Sequence, residues 1–294
     1  MLAPRLQKGD TIGLCAPSWV QSAESIAPVI HALEKMGYRV KCSDHLLARG
    51  WGYAASPEER AADINQLIGD EDVRLIFFGG GEGAEDVLDS ICYEAAARHP
   101  KIWLSYSDGT SILNAVHSRT GLVTYYGQMP GLMPRMSDYD GAQFAAHIQG
   151  LGEGHTASGP WRVLRAGRAE GTLLGGYVDN FAYMARSGEL SLPQEKYILF
   201  LEDHRQFVGV EAFSARIGRL ERAALMHKVS GVLFGHYGED VEAYVLERMR
   251  RLGERWHIPV AYCDDFGHGS NHAILPIGAS AVLDTESQSL SYRW

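Results

Sequence analysis

Ser107 lies in the stretch Ile102-Trp103-Leu104-Ser105-Tyr106-Ser107-Asp108-Gly109-Thr110, where a short apolar run turns through a serine into a segment of helical pattern. A serine on a strained strand-to-helix turn is how a nucleophile elbow presents its Oγ, and the turn closes only if the residues two before and two after it are small. Ser105 and Gly109 meet that condition. The amide after the serine, that of Asp108, would face a developing oxyanion, and the helix from about Thr110 to His117 would add its positive end. Ser107 and Asp108 would serve equally well as caps of that helix, so this stretch alone leaves nucleophile and cap as alternatives.

Nucleophilic acyl transfer also needs a base and a carboxylate that orients it. Glu202-Asp203-His204 ends the fully apolar run Tyr197 to Leu201, which puts carboxylates at the mouth of a buried strand. His268 stands between two glycines at the end of another strand pattern, its ring uncrowded; His236, after Gly235, is a weaker candidate of the same kind. His268 and His272 have i, i+4 spacing, but the glycines and asparagine between them disfavour a helix and the glutamate of H-E-x-x-H is missing, so neither metal nor cofactor is expected. The loop Gly79-Gly80-Gly81-Glu82-Gly83 follows the strand pattern Val73 to Phe78 and lacks the Lys-Ser/Thr of a phosphate loop, while Glu82, Glu85 and Asp86 would repel an anion. In an open parallel sheet it lies beside the loop of Ser107, so Gly80 or Gly81 can offer a second oxyanion amide; a tight turn with no chemical duty is the alternative.

The elements that must position these groups read as α/β. Thr11–Ala16, Tyr38–Val40, Val73–Phe78, Ile102–Ser105 and Leu122–Tyr126 are strand patterns, alternating with helical patterns at 26–36, 56–68 and 110–117. Gly152 to Pro160 is turn-forming without an apolar stripe and separates residues 1–151, a domain with a parallel sheet, from residues 160–294. In the second half, strands are expected at 161–164, 171–174, 197–201, 229–234 and 258–262, a turn at Gly175-Gly176, and helices at 177–186, 210–227 and 241–251. With 294 residues, 46% of them hydrophobic, the chain can fill proper cores, and a net charge of -9 argues against nucleic acid or an anionic membrane as partner. Met1 leads into charged residues with no apolar leader, and no apolar run approaches about 18 residues, so a cytoplasmic protein is expected. The four cysteines form no C-x-x-C pair and read as small core residues.

These motifs together resemble the LD-carboxypeptidases of the S66 serine peptidase family, which also includes the microcin C immunity peptidases. The resemblance runs nearly end to end: Leu6-Gln7-Lys8-Gly9-Asp10-Thr11-Ile12, Ala16-Pro17-Ser18, Ser56-Pro57-Glu58-Glu59-Arg60, Gly80-Gly81, Tyr106-Ser107-Asp108, Gly175-Gly176, Leu199-Phe200-Leu201-Glu202-Asp203, Gly267-His268 and Leu275-Pro276-Ile277-Gly278. It implies a Rossmann-like N-terminal domain, a smaller β-rich C-terminal domain, a homodimer and no metal. It implies Ser107 as nucleophile, Glu202 and His268 as the other members of a Ser-Glu-His triad, and an oxyanion hole from the Asp108 amide with Gly80 or Gly81. The substrate is then a small peptide or peptide conjugate, by likeness the murein tetrapeptide that loses its terminal D-alanine.

The chain departs from the family pattern at Ser105, at Gly79 to Gly83, at Tyr126-Gly127-Gln128 and at Gly175-Gly176-Tyr177-Val178, which makes Glu82, Tyr126 and Tyr177 the substrate-contact candidates. Leu174 stands where the immunity peptidases carry a nucleobase-stacking Trp. Arg74, Arg135 and Arg205 are candidate anchors for a substrate carboxylate. An amidase acting on aminoacyl nucleotide conjugates and a binding protein that has lost turnover are the alternative readings.

Overall fold

A computed structural model describes residues 1–19 and 22–294. The chain divides into two units, Met1–Leu151 and Gly152–Trp294, each with its own sheet.

In the first unit, strands β1 (Thr11–Cys15), β2 (Arg39–Cys42), β3 (Val73–Phe78), β4 (Ile102–Ser105) and β5 (Thr124–Tyr126) form parallel neighbours in the order β5-β4-β3-β1-β2. Their buried runs, Leu75 to Phe78 for example, carry no polar face because helices cover both sides of such a sheet. The helices are α1 (Ala23–Lys35), α2 (Pro57–Gly69), α3 (Tyr93–Arg98), α4 (Thr110–Thr120) and α5 (Asp138–Phe144). Helix α2 starts where Ser56 and Glu59 form a reciprocal capping box with Pro57 in the first turn. It then buries Ile64, Leu67 and Ile68. Gly13 admits it, since a Cβ there would lie 2.8 Å from a Leu67 methyl.

In the second unit, β6 (Arg162–Arg165), β7 (Arg168–Tyr177), β8 (Tyr197–Glu202), β9 (Val229–His236), β10 (Val260–Gly267), β12 (Ser280–Asp284) and β13 (Ser289–Arg293) form one sheet in the order β13-β12-β7-β8-β9-β10-β6, and the short β11 (Leu275–Ile277) precedes the turn at Gly278. The four strands from β7 to β10 are parallel, flanked by antiparallel edges. Helices α6 (Val178–Ser187), α7 (Val210–Leu220) and α8 (Ala243–Trp256) follow β7, β8 and β9.

Several expectations change. Gly175-Gly176 is not a turn: β7 runs straight through both glycines to Tyr177, and a Cβ on Gly175 would lie 1.7 Å from the Phe200 carbonyl oxygen of β8. Only glycine lets the two strands approach so closely there. The expected helix 210–227 ends at Leu220, and a separate 3-10 turn spans Ala224–Lys228. Cys15 and Cys263 are core residues, whereas Cys42 and Cys92 are exposed.

Candidate active site

The first unit builds a strained turn around Ser107. Strand β4 ends at Ser105, and Ser107 opens a 3-10 turn that leads into α4. Its φ is 57°, a left-handed conformation that a non-glycine residue holds at a cost of about 1–3 kcal/mol. The closure is steric: a Cβ on Gly109 would lie 2.1 Å from Ser105 Oγ, so the two small flanks touch across the turn. Ser107 N–H donates to the Tyr126 hydroxyl at 3.0 Å, and Thr110 Oγ1 donates to the Ser107 carbonyl at 2.6 Å. Tyr126 is fully buried, so it supports the turn rather than facing solvent.

The glycine loop lies against the same turn. A Cβ on Gly80 would be 2.6 Å from Ser107 Cβ and 3.1 Å from its Oγ, and one on Gly81, whose φ is 146°, would strike Trp19 Cβ at 2.6 Å. The Gly80 backbone therefore packs directly against the Ser107 side chain, with no room for a side chain of its own. Asp108 ties the loop down: its carboxylate accepts the Ala84 N–H at 2.8 Å. Arg60, buried in α2, donates to the carbonyls of Pro17 (2.5 Å) and Gly83 (2.8 Å) and pairs with Asp86 at 3.0 Å. The role of Arg60 is not legible in the sequence, because its acceptors are backbone atoms 43 and 23 residues away. Glu82 lies exposed in the loop.

The second unit brings Glu202 and His268 together. Glu202 ends β8 with no solvent exposure, and its Oε2 lies 2.9 Å from His268 Nδ1. A carboxylate only accepts, so Nδ1 carries the proton and Nε2 is the nitrogen able to take one. Gly267, at φ 104°, makes the approach possible, since a Cβ there would sit 3.1 Å from Glu202 Oε2. The His268 ring meets Phe207 edge-on at 4.9 Å between centroids and Tyr177 at 5.4 Å.

A charged network adjoins this pair. Asp203, wholly buried, holds Arg216 Nη1 at 3.0 Å, and Arg216 Nη2 reaches Asp179 at 3.0 Å. Burial pushes the Asp203 carboxyl up to about 6, although Arg216 pulls the other way; burial opposes the Arg216 charge too, but Asp203 outweighs it and raises that group. His204 stacks on His236 at 5.6 Å; burial first, then the neighbouring His236 and His268, push its ring below the usual histidine range. His236 Nδ1 contacts Asp264 at 2.9 Å, so this weaker candidate has a carboxylate partner of its own. Of the anchor candidates, Arg74 sits at the start of β3, 3.8 Å from Asp10, at the opposite end of the strand from the glycine loop. Arg205 is exposed three residues beyond Glu202, its stem against Gly238.

His155, Cys263 and Asp265 offer ligand atoms within 4.8 Å of one another. Asp265 is already engaged: it binds His155 Nε2 at 2.9 Å and both the amide and hydroxyl of Ser158. Burial opposes its charge, and those bonds outweigh it, holding the carboxyl below its usual range. Its evident work is to fasten the 152–160 segment to β10.

The family models for the LD-carboxypeptidase N-terminal and C-terminal domains match residues 12–127 and 170–283. The chain belongs to the S66 LD-carboxypeptidase family. It is 25% identical to the probable murein peptide carboxypeptidase of Bacillus subtilis strain 168, over 97% of this chain and 92% of that protein. It is 23% identical to the microcin C7 self-immunity protein MccF of Escherichia coli, over 99% and 95%. The fold is shared with an MccF-like protein of Bacillus anthracis (TM-score 0.88, 23% identity, 99% of each chain). It is shared also with a muramoyltetrapeptide carboxypeptidase of Oxalobacter formigenes (TM-score 0.80, 22% identity, 96% and 97%). Among the described residues, no helix is long and apolar enough to cross a membrane.

Proposed function

We propose that this family member is a serine carboxypeptidase that removes the C-terminal amino acid of a small peptide, by likeness the D-alanine of a murein tetrapeptide. The observation that carries the reading is the backbone at Ser107, a strained non-glycine residue at a strand end with Gly80 packed against its Oγ. Ser107 Oγ attacks the carbonyl carbon while His268 Nε2 takes its proton, and Glu202 stabilises the imidazolium. The oxyanion is held by the Asp108 amide and a Gly80 or Gly81 amide. The C–N bond breaks, the amine leaves with the proton from His268, and water attacks the acyl-enzyme as His268 takes the water's proton. The ester C–O bond then breaks and Ser107 regains its hydrogen. Arg205, exposed three residues beyond Glu202, supplies a cation for the substrate carboxylate. By the same family likeness the protein works as a homodimer.

Similarity to MccF motivates a second reading, hydrolysis of an aminoacyl nucleotide conjugate. It is disfavoured by Leu174, which is buried within β7 and offers no surface on which a nucleobase could stack. Chromatography of a murein tetrapeptide and an aminoacyl sulfamoyl adenosine, each incubated with the protein, separates the two. Release of D-alanine alone supports the carboxypeptidase; cleavage of the adenosine compound alone supports the amidase; tight binding of either without cleavage contradicts both.

A further inference from the structure

Tyr177 was singled out in the sequence as a substrate contact, yet its hydroxyl is committed elsewhere. It accepts a hydrogen bond from Arg216 Nη1 at 3.1 Å, and the Arg216 guanidinium carbon lies 5.6 Å from the centroid of the same ring. Burial foremost, with the Asp203 charge adding, raises the Tyr177 hydroxyl above its usual range and keeps it neutral. Arg216 is held in turn by two carboxylates on different elements: buried Asp203, directly after Glu202 on β8, and Asp179 on α6. The opposite edge of this assembly is the ring contact of Tyr177 with His268.

We infer that Tyr177 and Arg216 are positioning residues that fix the plane of the His268 ring. This rests on the reading of His268 as the catalytic base. The Glu202 hydrogen bond holds His268 at Nδ1, and the edge of Tyr177 bears on the same ring. A tilt swings Nε2, the atom that must meet the serine proton, and a misplacement of about 1 Å can cost roughly a hundredfold in rate. Phe207, more than half exposed, is a yielding wall; Tyr177, held at its hydroxyl by an arginine that two carboxylates clamp, is a rigid one. Placing the cation so close to a ring that must become imidazolium would be costly without compensation. Asp203 supplies it, facing Arg216 from β8 beside Glu202, while Asp179 is shared between Arg216 and Arg219.

The test is the rate of Ser107 labelling by a fluorophosphonate, with murein tetrapeptide turnover measured alongside, in wild type, Tyr177→Phe, Tyr177→Leu, Arg216→Lys and Arg216→Gln, with Ser107→Ala as control. Tyr177→Phe keeps the ring edge but frees it, and labelling and kcat are expected to fall about tenfold with KM unchanged; Tyr177→Leu removes the edge, and about a hundredfold is expected. Arg216→Lys should recover part of what Arg216→Gln loses. A merely structural role would lower thermal stability in all variants without a kcat loss at unchanged KM and without recovery in Arg216→Lys. Wild-type rates in the folded Tyr177 and Arg216 variants, with Ser107→Ala silent, overturn the inference and leave the carboxypeptidase reading intact. No labelling of wild type at Ser107 overturns that reading, and the inference with it.

Discussion

Replacing Gly109 by alanine tests the steric logic of the Ser107 turn. Gly109 has φ -58°, so a side chain costs nothing in backbone conformation, and only its neighbours matter. The new Cβ would lie 2.1 Å from Ser105 Oγ, 2.7 Å from Ser105 Cβ and 3.1 Å from a Phe78 ring carbon. Rotation can carry the hydroxyl away, but the Ser105 Cβ is fixed by a buried strand and stays roughly 1 Å inside carbon–carbon contact distance. Overpacking of this kind costs about 1–3 kcal/mol, or about 2–4 °C in Tm for each kcal/mol. It also displaces Ser107, so turnover and fluorophosphonate labelling should fall about a hundredfold. Ser105→Gly removes both close atoms. By itself it deletes a buried hydroxyl that has no hydrogen-bond partner among the described residues, a gain of about 1 kcal/mol that roughly offsets the entropic cost of a glycine in a strand. In that background only the Phe78 contact remains, and Gly109→Ala should cost less than about 1 kcal/mol, a coupling of about 1–2 kcal/mol. Urea unfolding of the four proteins measures the cycle and labelling reads the turn. Equal costs of Gly109→Ala in the two backgrounds, to within about 0.5 kcal/mol, would refute the reasoning.

Two further expectations concern the glycine loop and the buried network. Gly80→Ala puts a Cβ 2.6 Å from that of Ser107, and if the loop supplies an oxyanion amide, kcat should drop by about 10²–10³ in a protein that still folds; near-normal turnover would remove the loop from the mechanism. Asp203 is raised in the folded protein to about 6 from an ordinary 3.8, so its contribution to stability is complete below about 4 and is lost as pH rises to about 6. Denaturant unfolding of wild type and Asp203→Asn should therefore show the wild-type advantage shrinking across that window and level above it, and an advantage that grows with pH contradicts the assignment.

The strand-to-helix turns after β3 and β4 were legible because those buried strands are apolar runs closed by glycine or serine, at Phe78-Gly79 and at Ser105 to Ser107. Glu202 and His268 could be nominated from their places at strand ends, but their pairing, 66 residues apart, came from family resemblance and then from the hydrogen bond itself. Arg60 and Arg216 were not legible as site residues. Each sits in a helix with ordinary periodicity, and its importance lies in partners that only the fold brings near. Gly175-Gly176 misled in the other direction, since paired glycines signal a turn in sequence and here serve a close approach of two strands. Arg74, an anchor candidate by type, lies at the other end of β3 from the glycine loop, since residue type says nothing about which end of a strand faces the chemistry.

The central claim is that Ser107 is the nucleophile of a carboxypeptidase, and mass spectrometry of wild type and Ser107→Ala, each incubated with murein tetrapeptide, tests it most directly. The account predicts loss of the terminal D-alanine with wild type and intact tetrapeptide with the variant. Release of D-alanine by Ser107→Ala at a rate near that of wild type would contradict it.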